Sequence, residues 1–206
     1  MKGARAIGGI WLALGIVVGL SIIPALVGCT STPKTGPYES PSAEKRDTSA
    51  AESLNREAAE LLSSDPEHAE TLLRDALSKD LFFGPAHNNL GVLHLKKGEL
   101  YEAASEFEWA RKLLPGNPDP RINLAITLER AGRTSDAMDA YKTALEVQPG
   151  SVIAMQGAAV LAVRAGRNEA ALAGWLKEIA MSGENEGWRE WASSHIAVAR
   201  EADRVR

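Results

Sequence analysis

A period of 34 residues runs through most of this chain and leaves few folds open to it. Gly98, Gly132 and Gly166 recur at that interval. So do Ala69, Ala103, Ala137 and Ala171, and so do the large side chains of Leu73, Phe107, Tyr141 and Trp175. Ala76, Ala110 and Ala144 keep the same register, as do Pro115 and Pro149. Each unit reads as two helices joined by a short turn. The glycines can take φ > 0 and end the first helix. Asp65-Pro66, Thr134 and Asn168 read as caps of the second, and the prolines close the unit. The small residues Gly91, Ala103, Ala110, Ala125, Ala137 and Ala144 let paired helices approach. One such unit cannot dry its own apolar side, so stacking of like units must supply the core. An aromatic content of only 5 % fits helices packed closely through small residues.

These columns resemble the tetratricopeptide repeat, whose pattern has a Leu-Gly pair in helix A, a glycine in the turn, then alanine, an aromatic, alanine and proline through helix B. Residues 84–117 match with Leu90-Gly91, Gly98, Ala103, Phe107, Ala110 and Pro115. Residues 118–151 match with Leu124-Ala125, Gly132, Ala137, Tyr141, Ala144 and Pro149. Residues 50–83 are a looser copy, with Glu57, Ser64 and Leu81 in the small-residue, glycine and proline positions. Residues 152–185 keep Ala158-Ala159 and Gly166 but carry Glu178 and Gly183 where alanine and proline are expected. The resemblance implies an all-α fold, a right-handed α-solenoid of about four helix hairpins over residues 50–185. Residues 186–206 read as a C-terminal capping helix. Trp188, Trp191, His195, Val198 and Ala202 share one of its faces, and a terminal repeat needs such a cover.

In the family, helix A lines the concave side of the curved stack. Three columns of helix A share a face there: Asn55, Asn89, Asn123 and Gly157; Ala58, Val92, Ile126 and Val160; Leu62, Lys96, Arg130 and Arg164. The resemblance makes Asn55, Asn89, Val92, Lys96, Asn123, Ile126, Arg130, Val160 and Arg164 the expected peptide-binding residues. Amides both donate to and accept from an extended main chain. The aliphatic column offers apolar pockets, and the cations suit a carboxylate, which points to an acidic or C-terminal segment.

The first 28 residues have the export pattern. Lys2 and Arg5 precede an uncharged apolar run from Ile7 to Leu20. The segment ends Leu26-Val27-Gly28-Cys29, which resembles the lipobox of bacterial lipoproteins. That resemblance implies a removed leader, 1–28, and a diacylated Cys29, the one cysteine present. Two acyl chains suffice for stable anchoring. The alternative is an uncleaved membrane-spanning leader, since Ile7 to Val27 is long enough. Residues 29–49, with three prolines and many hydroxyls, read as the lipidated residue and a flexible tether. Either form puts the remainder across the inner membrane, facing the periplasm. Thr30 rather than aspartate after the cysteine favours the outer membrane.

The chain carries net charge −4, which disfavours nucleic acid as a partner. Neither a phosphate-binding loop nor a nucleophile elbow occurs. His87 and His94 lie seven residues apart on one helix, too far to share a metal, and read as packing residues. His68, His195 and the stretch Glu184-Asn185-Glu186 offer no metal-ligand spacing either. No cofactor, metal, small-molecule substrate or catalytic residue is expected. The expected function is an anchored scaffold that binds another envelope protein or a peptide segment of it, with a self-associating structural lipoprotein as the alternative.

Overall fold

Where the 34-residue period predicts helix pairs, the chain forms them. The computed structural model describes residues 46–166, 170–183 and 185–204, with side chains through residue 196. The leader, Cys29, the tether up to residue 45, Asn168, Glu184 and the side chains of Val198 and Ala202 lie outside the described residues.

Among the described residues there are nine helices: α1 Thr48–Leu61, α2 Pro66–Lys79, α3 Gly84–Lys97, α4 Leu100–Leu113, α5 Asp119–Arg130, α6 Thr134–Val147, α7 Val152–Arg164, α8 Leu172–Ser182 and α9 Glu186–Arg204. The odd-numbered members through α7 are the A helices and the even ones the B helices. Each A helix packs against its own B helix, and each B helix against the next A helix. Alternation of this kind makes a solenoid. Two apolar clusters form its core: one joins α1, α2 and part of α3, the other runs from α4 to α9.

Local chemistry sets the breaks. Gly98, Gly132 and Gly166 adopt φ of 82°, 76° and 59°. At Gly98 the chain reverses with Glu99 N–H bonded to His94 O at 3.0 Å, which satisfies a carbonyl the helix leaves open. Gly98→Ala is expected to cost about 1 kcal/mol in urea unfolding, because only glycine holds this conformation without strain. Asp65 caps α2, its carboxylate accepting from His68 N–H at 3.1 Å, with Pro66 in the first turn. Thr134 does not cap α6. It is the first helical residue, Arg133 takes the cap position, and no side chain bonds the open N–H groups there.

Ala69, Ala103 and Ala137 are completely buried where paired helices cross. Ala171 departs from that column: it is exposed and sits ahead of α8. The large residue of each B helix fills the gap toward the neighbouring A helices. A Cβ added to Gly91 would lie 2.7 Å from the Phe107 ring, so the Leu90-Gly91 pair is small because the ring rests on it. Glu57, in the same position of the first unit, is exposed, and the matching B-helix residue there is the shorter Leu73.

The first helix starts at Thr48, so residues 46–49, read as tether, belong to the fold. Arg46 donates to both carboxylate oxygens of Asp80, at 2.8 and 2.9 Å, and Thr48 Oγ1 donates to the same group at 2.7 Å. Asp80 is completely buried at the α2–α3 junction. At the other end, Trp188, Trp191 and Ile196 of α9 pack on the core around the buried Ala192, with the two indoles edge to face at 5.5 Å. The tryptophans therefore serve as cover for the last hairpin.

Candidate functional site

The A helices meet one another directly: α1 touches α3, α3 touches α5 and α5 touches α7. No comparable contact joins α2 to α4 or α4 to α6. Instead a cleft of about 370 Å³ opens between α4 and α6, with Leu124 and Leu128 of α5 lining it. Helices crowded on one side and splayed on the other bend the stack toward the A side. The A face is the concave one.

Hydrogen bonds tie neighbouring A helices across that face. Asn89 Nδ2 donates to Asn55 Oδ1 at 2.9 Å, and Asn123 Nδ2 donates to Asn88 Oδ1 at 3.1 Å. Each of these amides spends one group on its neighbour. Among the described residues the Nδ2 groups of Asn55 and Asn88 and the Oδ1 groups of Asn89 and Asn123 take no part in these bonds, and each bonded atom keeps a second N–H or lone pair. The column therefore offers both donors and acceptors to anything lying along it. Val92, Ile126 and Val160 stand half-buried beside it, joined by Leu95 and Val163.

The basic column is arranged differently from what the sequence implies. Lys96 Nζ donates to Leu62 O at 3.1 Å and Ser63 Oγ at 3.2 Å. Arg130 Nη1 donates to Leu95 O at 2.7 Å. Arg164 Nη1 donates to Glu129 Oε1 at 3.1 Å. Each cation thus reaches back one unit to the end of the preceding A helix, where the helix dipole is negative; Arg130 shares Leu95 O with Gly98 N–H, and Arg164 meets a carboxylate.

Gly157 stands where the first three units have asparagine, and the neighbouring ring explains it. A Cβ at Gly157 would lie 2.2 Å from Tyr141 Cζ. Tyr141 is nearly fully buried and its hydroxyl bonds Glu129. Burial, more than the Glu129 charge, pushes its ionisation far above the usual phenol range. Glu129 holds Tyr141 from one side and Arg164 from the other, so the amide row stops after the third unit. Sequence reasoning missed Asn88, Glu129 and the Tyr141–Gly157 contact. The doubled Asn88-Asn89 was a usable signal for the first.

The histidines hold the scaffold. His87, buried, has Nδ1 2.6 Å from Glu106 Oε2 and Nε2 2.9 Å from Leu81 O, with Trp109 stacked on it at 5.8 Å. His94 Nδ1 lies 2.6 Å from Glu99 Oε2. Among the described residues no group of histidines, cysteines or carboxylates is arranged to hold a metal ion, and no helix is long and apolar enough to cross a membrane. On the convex side Tyr101 (84 % exposed) and Trp109 (45 %) of α4 stand in solvent.

Stacked antiparallel helix pairs with a concave A face define a tetratricopeptide-repeat protein. The chain belongs to the family described as the protein kinase G tetratricopeptide repeat, which it matches over residues 38–199. No curated protein matches it by sequence. Among solved structures it is similar to pilF of Pseudomonas aeruginosa, at 18 % identity over 75 % of this chain and 71 % of that one, TM-score 0.66. A tetratricopeptide repeat protein from Parabacteroides merdae shares 20 % identity over 75 % of this chain and 61 % of its own, TM-score 0.62. The first repeat domain of Spaghetti (RPAP3), bound to the HSP90 peptide SRMEEVD, shares 13 % identity over 59 % of this chain and 98 % of its own, TM-score 0.56. Identities this low establish the shared fold.

Proposed function

We propose that this protein is a non-catalytic scaffold that holds a peptide segment of another protein along the concave face of α1, α3, α5 and α7. One observation carries the reading. That face presents a row of half-used amides beside half-buried aliphatic side chains: the apolar area gains from being covered, and the amides can pair with a main chain laid over them. A structural relative holding a peptide supports it. The family's description names a kinase, but the match lies in the repeats and the sequence offers no phosphate-binding loop.

The Asn89→Ala, Asn123→Ala, Ile126→Ser triple variant tests the face, with a photo-crosslinker placed at Val92. The expected result is partner capture lowered roughly tenfold, about 1.4 kcal/mol of binding, with the helical circular dichroism unchanged. Undiminished capture would move binding to another surface, such as the Tyr101–Trp109 side of α4.

The leader pattern and the lipobox-like Leu26-Val27-Gly28-Cys29 support a place in the bacterial envelope, with the repeats facing the periplasm and an acylated Cys29 in the membrane. The outer membrane is favoured. Metabolic labelling with palmitate is expected to mark the wild-type chain and to leave a Cys29→Ser variant unlabelled and released from membranes. A cysteine that stays unlabelled while the chain remains in membranes would instead mean a retained leader.

A further inference from the structure

We propose that the outer face of α4 is a contact between two copies of this chain, in which Tyr101 and Trp109 of each copy meet about a two-fold axis at Ser105. Tyr101 is 84 % exposed and Trp109 45 %, and among the described residues they are the two aromatic side chains that stand in solvent. The repeat does not ask for them. One period away, α2 has Glu67 and Asp75 in these positions and α6 has Ser135 and Thr143. Tyrosine and tryptophan are the side chains that contact surfaces favour, because they cover much area at little cost in rotamer freedom. Trp109 is already held in place: His87 stacks on it at 5.8 Å and Lys112 Nζ lies over its ring at 5.7 Å. It has little freedom left to lose when it is covered.

The spacing selects a second copy as the occupant. Tyr101 lies four residues before Ser105 and Trp109 four after it, all on one ridge of the helix. An antiparallel copy turned about Ser105 lays its Trp109 on Tyr101 and its Tyr101 on Trp109. A surface that meets itself across a two-fold axis must complement itself in this way. Ser105 is small and exposed, so the two helix axes can close to about 8 Å. Charge follows the same symmetry. Lys112, seven residues after the centre, is in no ion pair among the described residues. Glu99, six before it, is bonded to His94 through one oxygen and its side chain stays 46 % exposed. The turned copy brings each Lys112 to the other's Glu99. Glu102 and Glu108 do not meet, because they stand about 120° apart around the helix, on opposite flanks of the ridge. Glu108 is in addition paired with Arg111 at 2.6 Å. The exposed parts of the four rings supply roughly 600 Å², short of the roughly 1,200 Å² of a lasting complex, so the dimer is weak and exchanging. It uses the convex side and leaves the concave face open, and so stands apart from the peptide reading.

The test places a cysteine on the axis. The full chain carrying Ser105→Cys is oxidised with copper phenanthroline and resolved without reductant; the wild type, which keeps Cys29, measures any bridging through that residue. Thr71→Cys on α2 and Asp139→Cys on α6, one period to either side of Ser105, are the exposed controls. The expected result is a covalent dimer from Ser105→Cys far above the wild type and both controls. Adding Tyr101→Ser is expected to lower its yield roughly tenfold, because both copies lose an aromatic contact at once. Lys112→Glu is expected to lower it as well, by setting like charges against Glu99. These side chains are exposed, so circular dichroism should stay unchanged in each variant. Bridging at Ser105→Cys no stronger than at Thr71→Cys and Asp139→Cys would overturn the proposal. So would bridging that Tyr101→Ser and Lys112→Glu leave untouched, which is the mark of random collision. A Ser105→Cys chain joined to a different protein instead would assign the face to that partner and overturn the second copy as occupant.

Discussion

Gly157→Ala is expected to destabilise the fold by about 3 kcal/mol, near the upper end of the range for overpacking a tight site. The added Cβ would stand 2.2 Å from Tyr141 Cζ, with both Cε atoms within 2.6 Å. The ring has nowhere to retreat. It is nearly fully buried, its hydroxyl is held by Glu129, and Glu129 is held in turn by Arg164. Tyr141→Phe does not relieve the clash, because the overlapping atoms belong to the ring. Tyr141→Leu does, so Gly157→Ala made in that background is expected to cost less than about 1 kcal/mol. Urea unfolding of the four proteins in the cycle measures this. Equal costs in both backgrounds would mean that the ring is not the obstacle.

Arg46→Ala should lower the melting temperature by roughly 6 °C at neutral pH, since it strands a buried carboxylate. The hydrogen bond from Arg46 is the largest reason the Asp80 carboxyl ionises below the usual carboxylate range; Thr48 and the Phe82 N–H add to it, and burial opposes. A depressed carboxyl stabilises the fold at pH values above its unfolded pKa of about 3.8, and that contribution fades as pH falls through the lower, folded value. In the variant the largest influence holding the carboxyl down is gone, so Asp80 takes up its proton more readily. The gap between the two melting curves is therefore expected to be widest near pH 7 and to narrow below pH 4. A gap that stays constant through acid would show that Arg46 acts by packing on Phe82, whose ring it overlies at 5.3 Å, and not by charge.

Both predictions concern residues that the repeat pattern treats as irregular. The periodic residues were legible because one physical demand recurs in every unit. Gly98, Gly132 and Gly166 all need φ > 0, and Ala69, Ala103 and Ala137 all sit where helices cross. Gly157 breaks the asparagine column for a reason visible only when Tyr141 of the preceding hairpin is set against it. Arg46 lies ahead of the first unit, and its partner is 34 residues away.

The groove shows the same division. Its asparagine, aliphatic and basic columns were legible because residues three and four apart share a helix face and the resemblance to the repeat family assigns that face to the groove. Whether a side chain there is free for a guest was not visible. Lys96 and Arg130 look like an anion clamp in the sequence, and they end up capping the helix one unit back.

The sequence by itself determined the repeat and the glycine turns between paired helices, since these follow from φ preferences and side-chain size, and the resemblance to the repeat family indicated which face of each A helix is displayed. Only the tertiary structure decided how far the amide row runs, which charges are already engaged and that Arg46 and Thr48 belong to the fold. Those depend on atoms brought together from neighbouring hairpins, and a linear period carries no record of the distance between them.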